Sequence, residues 1–475
     1  MHSTDTTDIP ASISEAGMST ARGADIGKLL RKSTPRKSHS EWSAPPDRVS
    51  PLDILRAQEK TRVPELLPLR HERMAASPFA FFRGGAAIMA ADLRHTPSTG
   101  LTVQLCGDAH IGNFGGFASP ERRLVFDIND FDETLPGPWE WDIKRLVASV
   151  EIAARDRGFD GAERLAAVLE AAKAYRQAMA SFSEMTPLEI WYASFDVQAL
   201  LPAIRRDLGG RALKEAEREI ARALSRNSAR AARKLTQVVD GRPRIISDPP
   251  LVVPLRQLLP GVEAQQLEKG IRGVLADYRL TLPRDRQALL DHYEFEDIAR
   301  KVVGVGSVGT LSWIALLIGR EHADPLVLQL KQAEASALEA HLGPSVYPNH
   351  GERVIQGQRL IQASSDVLLG WLRSKGLDGV ERDFYVRQLW DWKASADLST
   401  VSAPQLTAHG RLCAWTLARA HARTGSPIAI ASYLGSGAAF DHAITAFAAA
   451  YADQNQADFN EFTESRRDSS RGQGR

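Results

Sequence analysis

Acidic and amide side chains are concentrated in one stretch of the chain, residues 107–142. It opens with GDAHIGNFG, continues through VFDINDFDE and closes with LPGPWEWDIKRL. Asp108 and Asn113 have a D-x-x-x-x-N spacing on a single tight loop, where a carboxylate could accept a proton and an amide oxygen could bind a metal. Asp130 adds a charged oxygen ligand of the kind that Mg²⁺ prefers. These residue types together predict phosphoryl transfer.

Two neighbouring aspartates, Asp127 and Asp132, are alternatives to Asp130 as the metal ligand. Successive side chains of a strand point to opposite faces, so Asp127 would face away from Asp130. At most one of Asp127 and Asp130 is therefore expected to face the metal together with Asp108 and Asn113.

Short strands and a helix must position these loops. LTVQLCGD predicts a strand that ends at Gly107, and RLVFDI predicts a second strand that ends just before Asp130. The pattern from Trp139 to about Arg157 is that of an amphipathic helix. The acidic loops are thus expected at strand ends, ahead of a helix.

A glycine-rich segment, KVVGVGSVGT, lies far downstream. Gly304, Gly306 and Gly309 form a G-x-G-x-x-G pattern that also contains Ser307. In a dinucleotide-binding fold this pattern opens a helix, but here LSWIALLIG follows, and its β-branched and aromatic residues predict a strand. A further predicted strand, LVLQLK, carries Lys331.

A strand, a glycine loop, a second strand and a lysine-bearing strand follow one another in a kinase-like small lobe. There the loop amides cover the phosphates of ATP, and an acidic residue on the next helix orients the lysine. Glu352 is the predicted partner of Lys331 because it lies in that predicted helix. The alternatives for this role are Glu334, Glu339, Gln356 and Gln358.

The acidic stretch resembles parts of known enzymes. GDAHIGN is similar to the catalytic loop of the aminoglycoside- and choline-kinase branch of protein-kinase-like enzymes, and NDFDETLPGPWEWDIKRL resembles that branch's metal-binding segment and following helix. The resemblance implies that Asp108 accepts the hydroxyl proton and that His110 mainly holds the loop. It also implies that Asn113 and Asp130 bind Mg²⁺. Asp142 would hydrogen-bond the catalytic loop.

The order of the motifs departs from that branch, in which the glycine loop and the lysine come first. The expected fold is therefore an α+β, two-lobed kinase-like fold in circularly permuted order, with a helix-rich large lobe and a small antiparallel β lobe. YVRQLWDWK resembles the last small-lobe strand and the hinge, which implies that residues from Gln388 to Trp390 pair with adenine. LCAWTLARAHARTG resembles the helix that normally leads into the catalytic loop.

The whole chain also resembles a bacterial family, the domain of unknown function 2252 family. The motifs that carry this resemblance are SPFAFFRG, GDAHIGNFG, NDFDET, GERVIQGQRL and YVRQL, and it covers roughly residues 50–455. The predicted organisation is a disordered tail (1–45), the catalytic-loop part of the large lobe with a helical insertion (46–298), the small lobe (299–395), C-terminal helices that complete the large lobe (396–460) and a polar tail (461–475).

Composition limits the partners and the compartment. With 59 basic and 58 acidic residues, the formal charge of +1 provides no overall field that would attract nucleic acid or an anionic membrane. Cys106 and Cys413 are far apart in sequence, so neither a disulfide framework nor a cysteine zinc site is expected. No apolar run is long enough to span a bilayer, and the first residues do not resemble a signal peptide. A cytoplasmic protein is expected.

Three functions compete at this stage. The first is an ATP- and Mg²⁺-dependent phosphotransferase that acts on a hydroxyl-bearing small molecule or protein. The second is a nucleotidyl transferase or a nucleotide-binding pseudokinase on the same fold. The third is a metallophosphoesterase, which would need several further histidine ligands. Neither the acceptor nor the oligomeric state follows from the sequence.

Overall fold

The computed structural model describes residues 20–197, 214, 217–218, 220–222, 224–225, 228–259, 264–302, 304, 308–320, 324–376, 378–389, 392 and 394–472. The named helices are α1 Thr20–Ser33, α2 Pro51–Glu59, α3 Leu67–Met74, α4 Pro78–Gly84, α5 Ala86–Leu93, α6 Trp139–Asp156, α7 Gly161–Ser183, α8 Pro187–Tyr192, α9 Ser228–Leu235, α10 Leu255–Leu258, α11 Ala264–Leu280, α12 Arg284–Leu290, α13 Glu339–Leu342, α14 His350–Ile361, α15 Ala403–Thr424, α16 Pro427–Leu434 and α17 Ala439–Gly472.

The strands are β1 Thr102–Leu105, β2 Phe114–Ala118, β3 Leu124–Ile128, β4 Leu135–Pro138, β5 Phe195–Asp196, β6 Thr236–Val239, β7 Arg242–Ile245, β8 Val252–Pro254, β9 Glu294–Lys301, β10 Ser312–Ile318, β11 Pro325–Ala333, β12 Gly370–Lys375, β13 Glu381–Gln388 and β14 Ala394–Ser395. The described strands pair antiparallel. The predicted α+β class is confirmed.

The largest sheet has six strands in the order β12-β13-β11-β10-β9-β8. Strand β11 lies inside it, between β10 and β13, and the pairing places Lys331 between Ser312 and Tyr385. Side chains alternate between the two faces of a strand. Because Leu328 and Leu330 of β11 pack with Tyr278 of α11 on one face, Lys331 is directed to the other face.

Helix α14 connects this sheet to the acidic stretch. It lies between β11 and β12 in the chain and packs against both, and also against β13 and β1. Asn349 caps its first turn by accepting a hydrogen bond from the amide of Glu352 (3.1 Å). Gly357 permits a close approach on the other side, since a Cβ there would lie 2.4 Å from the side chain of Thr134. Helix α14 therefore links the sheet to the acidic stretch.

A helical body surrounds α6, the helix that follows the acidic stretch. Residues 139–154 of α6 are buried throughout, as expected for a helix that other helices surround. Helices α7, α15 and α17 pack against it, and Trp139 stacks on Tyr175 of α7 with ring centroids 5.7 Å apart. The C-terminal helices thus pack on the part of the chain that contains residues 107–113, which we call the catalytic-type loop because of its resemblance to the kinase motif. Among the described residues, no helix has both the length and the apolarity that crossing a bilayer requires.

The prediction that residues 1–45 are disordered is wrong for residues 20–45, while residues 1–19 lie outside the described part of the chain. Helix α1 packs against α16, and a Cβ on Gly27 would lie 2.3 Å from the carbonyl oxygen of Ala429. His39 is buried and hydrogen-bonds the hydroxyl of Tyr433 (2.8 Å). Two helices that touch closely at a glycine need few large apolar side chains between them. The low apolar content of this segment therefore gave no sign that it is packed.

The predicted polar tail after residue 460 is helical as far as Gly472, because α17 continues into it. Phe462 is 3% exposed and belongs to a cluster with Leu55, Met74 and Phe81. Phe462 thus packs the beginning of this polar segment against α2, α3 and α4.

The six-stranded sheet extends beyond the predicted start of the small lobe at residue 299. Its edge strand β8 comes from the proline-rich segment SDPPLVVPL, and β9 begins at Glu294. Helix α9, within the predicted helical insertion, packs against the sheet through Ala231 and Leu235. Part of that insertion therefore belongs to the sheet.

Candidate active site

The loop that follows β1 is held from α6. The Asp142 carboxylate accepts hydrogen bonds from the amides of Cys106 (2.8 Å) and Gly107 (3.0 Å), and His421 Nε2 of α15 lies 3.3 Å from it. Gly107 has φ 82, and a Cβ there would lie 2.3 Å from the carbonyl oxygen of Glu133. Only glycine fits this conformation and this space. The loop is thereby fixed immediately before Asp108.

Two side chains, one from α6 and one from the same loop, hydrogen-bond Asp108. Its Oδ1 accepts a hydrogen bond from Arg145 Nε (2.6 Å), and Asn113 Nδ2 donates to its carbonyl oxygen (2.9 Å) and to Oδ2 (3.3 Å). Burial raises the pKa of Asp108, and the positive charge of Arg145 opposes that rise. The side chain remains 18% exposed. Asp108 is therefore oriented and yet accessible to a substrate.

His110 supports the loop. Its Nδ1 accepts a hydrogen bond from the amide of Gly112 (3.1 Å), while Nε2 lies 3.6 Å from Asp108 Oδ2. Burial, together with the nearby charges of Arg83 and Arg145, lowers the pKa of His110 well below its usual value. A neutral ring whose Nδ1 is the acceptor carries its proton on Nε2.

Asp127 has a different role from Asp130. It is 1% exposed and forms a salt bridge with Arg419 of α15 (2.7 and 2.8 Å), and it accepts a hydrogen bond from the amide of Ala363 (2.7 Å). Asp127 therefore ties β3 to α15 and to the segment after α14. The alternative that Asp127 binds the metal finds no support in this arrangement.

Lys331 forms an ion pair with Asp132 instead of with Glu352, the partner that the sequence suggested. The hydroxyl of Tyr385 donates to the other oxygen of Asp132 (2.8 Å). Burial would lower the pKa of Lys331, but the carboxylates of Asp130 and Asp132 outweigh it and raise that pKa. Lys331 is thus a protonated cation directed at the acidic stretch.

The residue of α14 that enters the site is Arg353. It is 2% exposed and donates to the carbonyl oxygens of Asp132 (2.7 Å), Thr134 (2.8 Å) and Glu334 (2.9 Å). Adjacent helix residues point in directions about 100° apart, so an inward Arg353 leaves Glu352 facing another way. The sequence identified the helix correctly but chose the wrong face of it.

The glycine-rich connection lies between β9 and β10, as predicted. Gly304 (φ 68) and Gly309 (φ 95) adopt left-handed conformations, whereas Gly306 and Ser307 lie outside the described residues. The carbonyl oxygen of Gly309 accepts a hydrogen bond from the amide of Val63 (2.8 Å), and Arg73 donates to that of Gly304. A segment upstream of the acidic stretch therefore holds this connection.

The segment after β13 is bonded within the protein. Gln388 donates its backbone amide (2.5 Å) and its side-chain amide (2.8 Å) to the carboxylate of Asp366. The Gln388 N–H is thus already engaged, and its predicted contact with adenine would need another group. Trp390 lies outside the described residues.

Two adjoining cavities contain these groups. The first, of about 460 Å³, is lined by residues that include Asp108, His110, Asn113, Asp130, Asp132, Arg62, Arg83 and Gly304. The second, of about 640 Å³, shares Asn113, Asp130, Arg83 and Gly304 with the first and adds Arg387 and residues 395–399. The fold thus brings the acidic stretch and the glycine-rich connection to common cavities. We call the first the Asp108 cavity and the second the Arg387 cavity.

The oxygen donors at these cavities suit Mg²⁺. Asn113 and Asp130 line both cavities, and because Asn113 Nδ2 bonds Asp108, its Oδ1 remains as a ligand atom. An amide oxygen and a carboxylate are hard donors, and Mg²⁺ usually completes its shell with water and phosphate oxygens. In the described part of the chain, no group of three or more His, Cys, Asp or Glu residues is arranged for a metal.

Sequence reasoning missed three contributors to the site. They are Arg145, which bonds Asp108, and Tyr385 and Arg353, which contact Asp132. Spacing could have identified Arg145, because it follows Asp142 by one helical turn and so shares its face. No comparable local signal marks the other two.

A family model described as an uncharacterized protein conserved in bacteria (DUF2252) matches residues 62–465. The search of curated proteins produced no match, and neither did the search of solved structures.

Proposed function

Because this chain belongs to the bacterial DUF2252 family, whose description states no activity, we propose its reaction from the site alone. The proposal is an ATP- and Mg²⁺-dependent phosphotransferase with a permuted kinase-like fold, acting on a hydroxyl-bearing acceptor. The observation that carries it is the junction of the two cavities. There Asn113 and Asp130 line both cavities together with Gly304 of the glycine-rich connection, and Asp108 lines the first. Lys331 pairs with the adjacent Asp132.

The order of elements in the sheet supports the kinase-like fold. Strand β9, the glycine-rich connection, β10, β11 with Lys331, α14, β12 and β13 follow one another along the chain. A glycine-rich loop, a lysine on the third strand and a helix after it are the parts of a kinase small lobe that handle ATP. Here they come after the catalytic-type loop, which supports a circular permutation.

In the proposed reaction, the acidic stretch activates the acceptor and holds Mg²⁺, and the six-stranded sheet binds the phosphates of ATP. Asp108 would accept the proton of the acceptor hydroxyl as the acceptor oxygen forms its bond to the γ-phosphorus of ATP. The bond from that phosphorus to the bridging oxygen would break, and ADP would leave with the electron pair. Lys331 would exchange its contact with Asp132 for the α- and β-phosphates. Mg²⁺ held by Asn113 and Asp130 would neutralise phosphate charge.

Lys331→Ala should weaken binding of ATP in the presence of Mg²⁺ by about tenfold to a hundredfold, because a hydrogen bond to a charged group contributes about 1.5–3 kcal/mol. Calorimetric titration measures the change. The matched control is Lys375→Ala, at an exposed position in the edge strand of the same sheet, which should bind ATP as the unmodified protein does. Equal affinity in the two variants would contradict the assignment of Lys331.

A second candidate has one specific observation in its favour. Arg145 Nε donates a hydrogen bond to Asp108 Oδ1 (2.6 Å). A carboxylate paired with a cation is a weaker proton acceptor than a free one. This pairing suits a nucleotidyl transferase or a nucleotide-binding pseudokinase, in which no strong base is needed. The products of an ATP incubation decide between them: phosphoryl transfer yields ADP, nucleotidyl transfer releases pyrophosphate, and a pseudokinase leaves ATP intact.

The pH dependence of turnover tests Asp108 as the base. Only the ionised carboxylate accepts a proton, so turnover should fall as the pH drops through the pKa of Asp108. Burial raises this pKa and Arg145 opposes the rise, so Arg145→Gln should move the acidic limb of the pH profile to higher pH. Arg155→Gln, in the same helix but paired with Glu151, should leave the limb in place. An unmoved limb in Arg145→Gln would mean that another group titrates.

A further inference from the structure

Arg83 is carried into the site by a rigidly packed helix. Ser77 caps α4 by accepting a hydrogen bond from the amide of Ala80 (3.2 Å), and Phe81 and Phe82 are buried. The helix precedes the acidic stretch in the chain and is not one of the kinase-like elements. Its last turn places Arg83 in the wall of both cavities.

The guanidinium of Arg83 lacks the contacts that the other site arginines have. In the described part of the chain it forms no hydrogen bond or ion pair, and its Nε is buried without an acceptor. The Nε atoms of Arg62 and Arg353 also lack an acceptor, but both guanidinium groups bond carbonyl oxygens through Nη. Arg145 bonds Asp108 and Arg387 bonds Gln329. A buried donor without an acceptor costs free energy. Retaining such a donor in a cavity wall indicates that a ligand supplies the acceptor.

The position of Arg83 indicates which kind of ligand this is. A Cβ on Gly112 would lie 3.5 Å from Arg83 Nε, so the guanidinium lies against the catalytic-type loop. It lies where the two cavities meet, and the other residues that both share are Asn113, Asp130 and Gly304. Asp108 and Asp130 act on Arg83 electrostatically without contacting it. The Nη groups of Arg83, which are not buried and have no hydrogen-bond partner among the described residues, can therefore bond an anion between those carboxylates and the glycine-rich connection.

We propose that Arg83 binds a phosphate-type oxyanion at the junction of the Asp108 and Arg387 cavities, and that it holds the phosphoryl group during transfer. The second clause rests on the proposed function. A guanidinium offers several N–H donors in one plane, which matches the non-bridging oxygens of a phosphoryl group. Arg83 would stabilise the charge on those oxygens while the bond to ADP breaks and the bond to the acceptor forms. It would neither give nor take a proton.

A purely structural role for Arg83 makes a different prediction. If its charge only offset Asp108 and Asp130, its loss would destabilise the fold or alter the pH profile without changing the affinity for an anion. If it binds an oxyanion, its loss removes that affinity even in a folded protein. Anion affinity measured without ATP therefore separates the two roles.

The binding experiment uses inorganic phosphate as the probe and the full chain as the protein. Calorimetric titration at constant ionic strength should show phosphate binding that Arg83→Met weakens by at least about tenfold, since it removes a charge-assisted hydrogen bond. Arg83→Lys, which keeps the charge but loses the planar donors, should be intermediate and provides a second variant if Arg83→Met does not fold. Arg56→Met, at a 67% exposed side chain, is the matched control. Phosphate affinity unchanged in both Arg83 variants would overturn the proposal.

The turnover experiment keeps this inference separate from the proposed function. With ATP and Mg²⁺, Arg83→Met should lower kcat by about a hundredfold to a thousandfold, the usual effect of losing one donor to transition-state charge. Its ATP affinity should fall by no more than about tenfold, the loss expected for phosphate itself, since Lys331 and the glycine-rich connection would also hold the nucleotide. If phosphate binding depends on Arg83 but ATP does not bind at all, the anion site stands and the phosphotransferase proposal fails. If kcat is unchanged, the role of Arg83 in transfer is overturned.

Discussion

Asp108→Asn should lower turnover by about a hundredfold to ten-thousandfold, the range that loss of a general base produces. Asparagine has nearly the same shape and can still accept the hydrogen bond from Arg145 that now reaches Asp108 Oδ1 at 2.6 Å. What it cannot do is take the proton of the acceptor hydroxyl. The variant should therefore bind ATP as the unmodified protein does and fail in the chemical step. Measuring ATP affinity and ADP formation on the same preparation separates these two effects.

The control for this variant is Asp285→Asn, at a 67% exposed side chain on α12, which should keep full turnover. Because Asp108→Asn leaves the buried charge of Arg145 without its counter-ion, the folded fraction must be checked by circular dichroism. An Asp108→Asn protein that is folded and still forms ADP at the unmodified rate would rule out Asp108 as the base.

Asp127→Asn should lower the free energy of unfolding by about 3–5 kcal/mol, the usual cost of leaving one member of a buried ion pair without its partner. Asp127 and Arg419 are each 1% exposed, and Arg419 Nη2 bonds both carboxylate oxygens. Their contact joins β3 to α15, so its loss should loosen the packing of the C-terminal helices on the acidic stretch. Urea unfolding followed by tryptophan fluorescence measures the change.

Two further variants sharpen this test. Asp378→Asn breaks an exposed ion pair with Arg382 and should hardly change stability. The double variant Asp127→Leu, Arg419→Met removes both buried charges and should be more stable than Asp127→Asn alone. A different pattern, in which Asp127→Asn unfolds normally but requires more Mg²⁺ for turnover, would show that Asp127 is a metal ligand after all.

Local spacing was the part of the site that could be predicted from sequence. Asp108 and Asn113 belong to one short loop, and Asp142 starts the helix that supports it, so their mutual contacts depend on a few backbone torsions. The hydrogen bonds from Asn113 to Asp108 and from the loop amides to Asp142 follow from that short connection. Alternation along a strand likewise predicts that Asp127 and Asp130 face in different directions.

The partners of the buried cations could not be predicted in the same way. Lys331 pairs with Asp132 and Arg419 with Asp127, and in each case a long stretch of chain separates the two residues. Periodicity predicts which face of a strand or helix a side chain lies on. Several carboxylates from distant parts of the chain can lie opposite that face, and their chemistry does not distinguish them. Glu352 lies at a suitable distance along the chain from Lys331, but the fold places Asp132 next to Lys331 instead.

By itself, the sequence determined the α+β class, the family and the local contacts of the loop at residues 107–113, because hydrophobic period and local spacing are properties of neighbouring residues. Only the tertiary structure decided that Gly304 lines the same cavity as Asp108, that α14 turns Arg353 inward and that Arg83 lies in the wall of both cavities. The physical reason is that these relations depend on how strands and helices pack across the whole chain. Packing is a collective result of many weak contacts, which no short stretch of residues encodes.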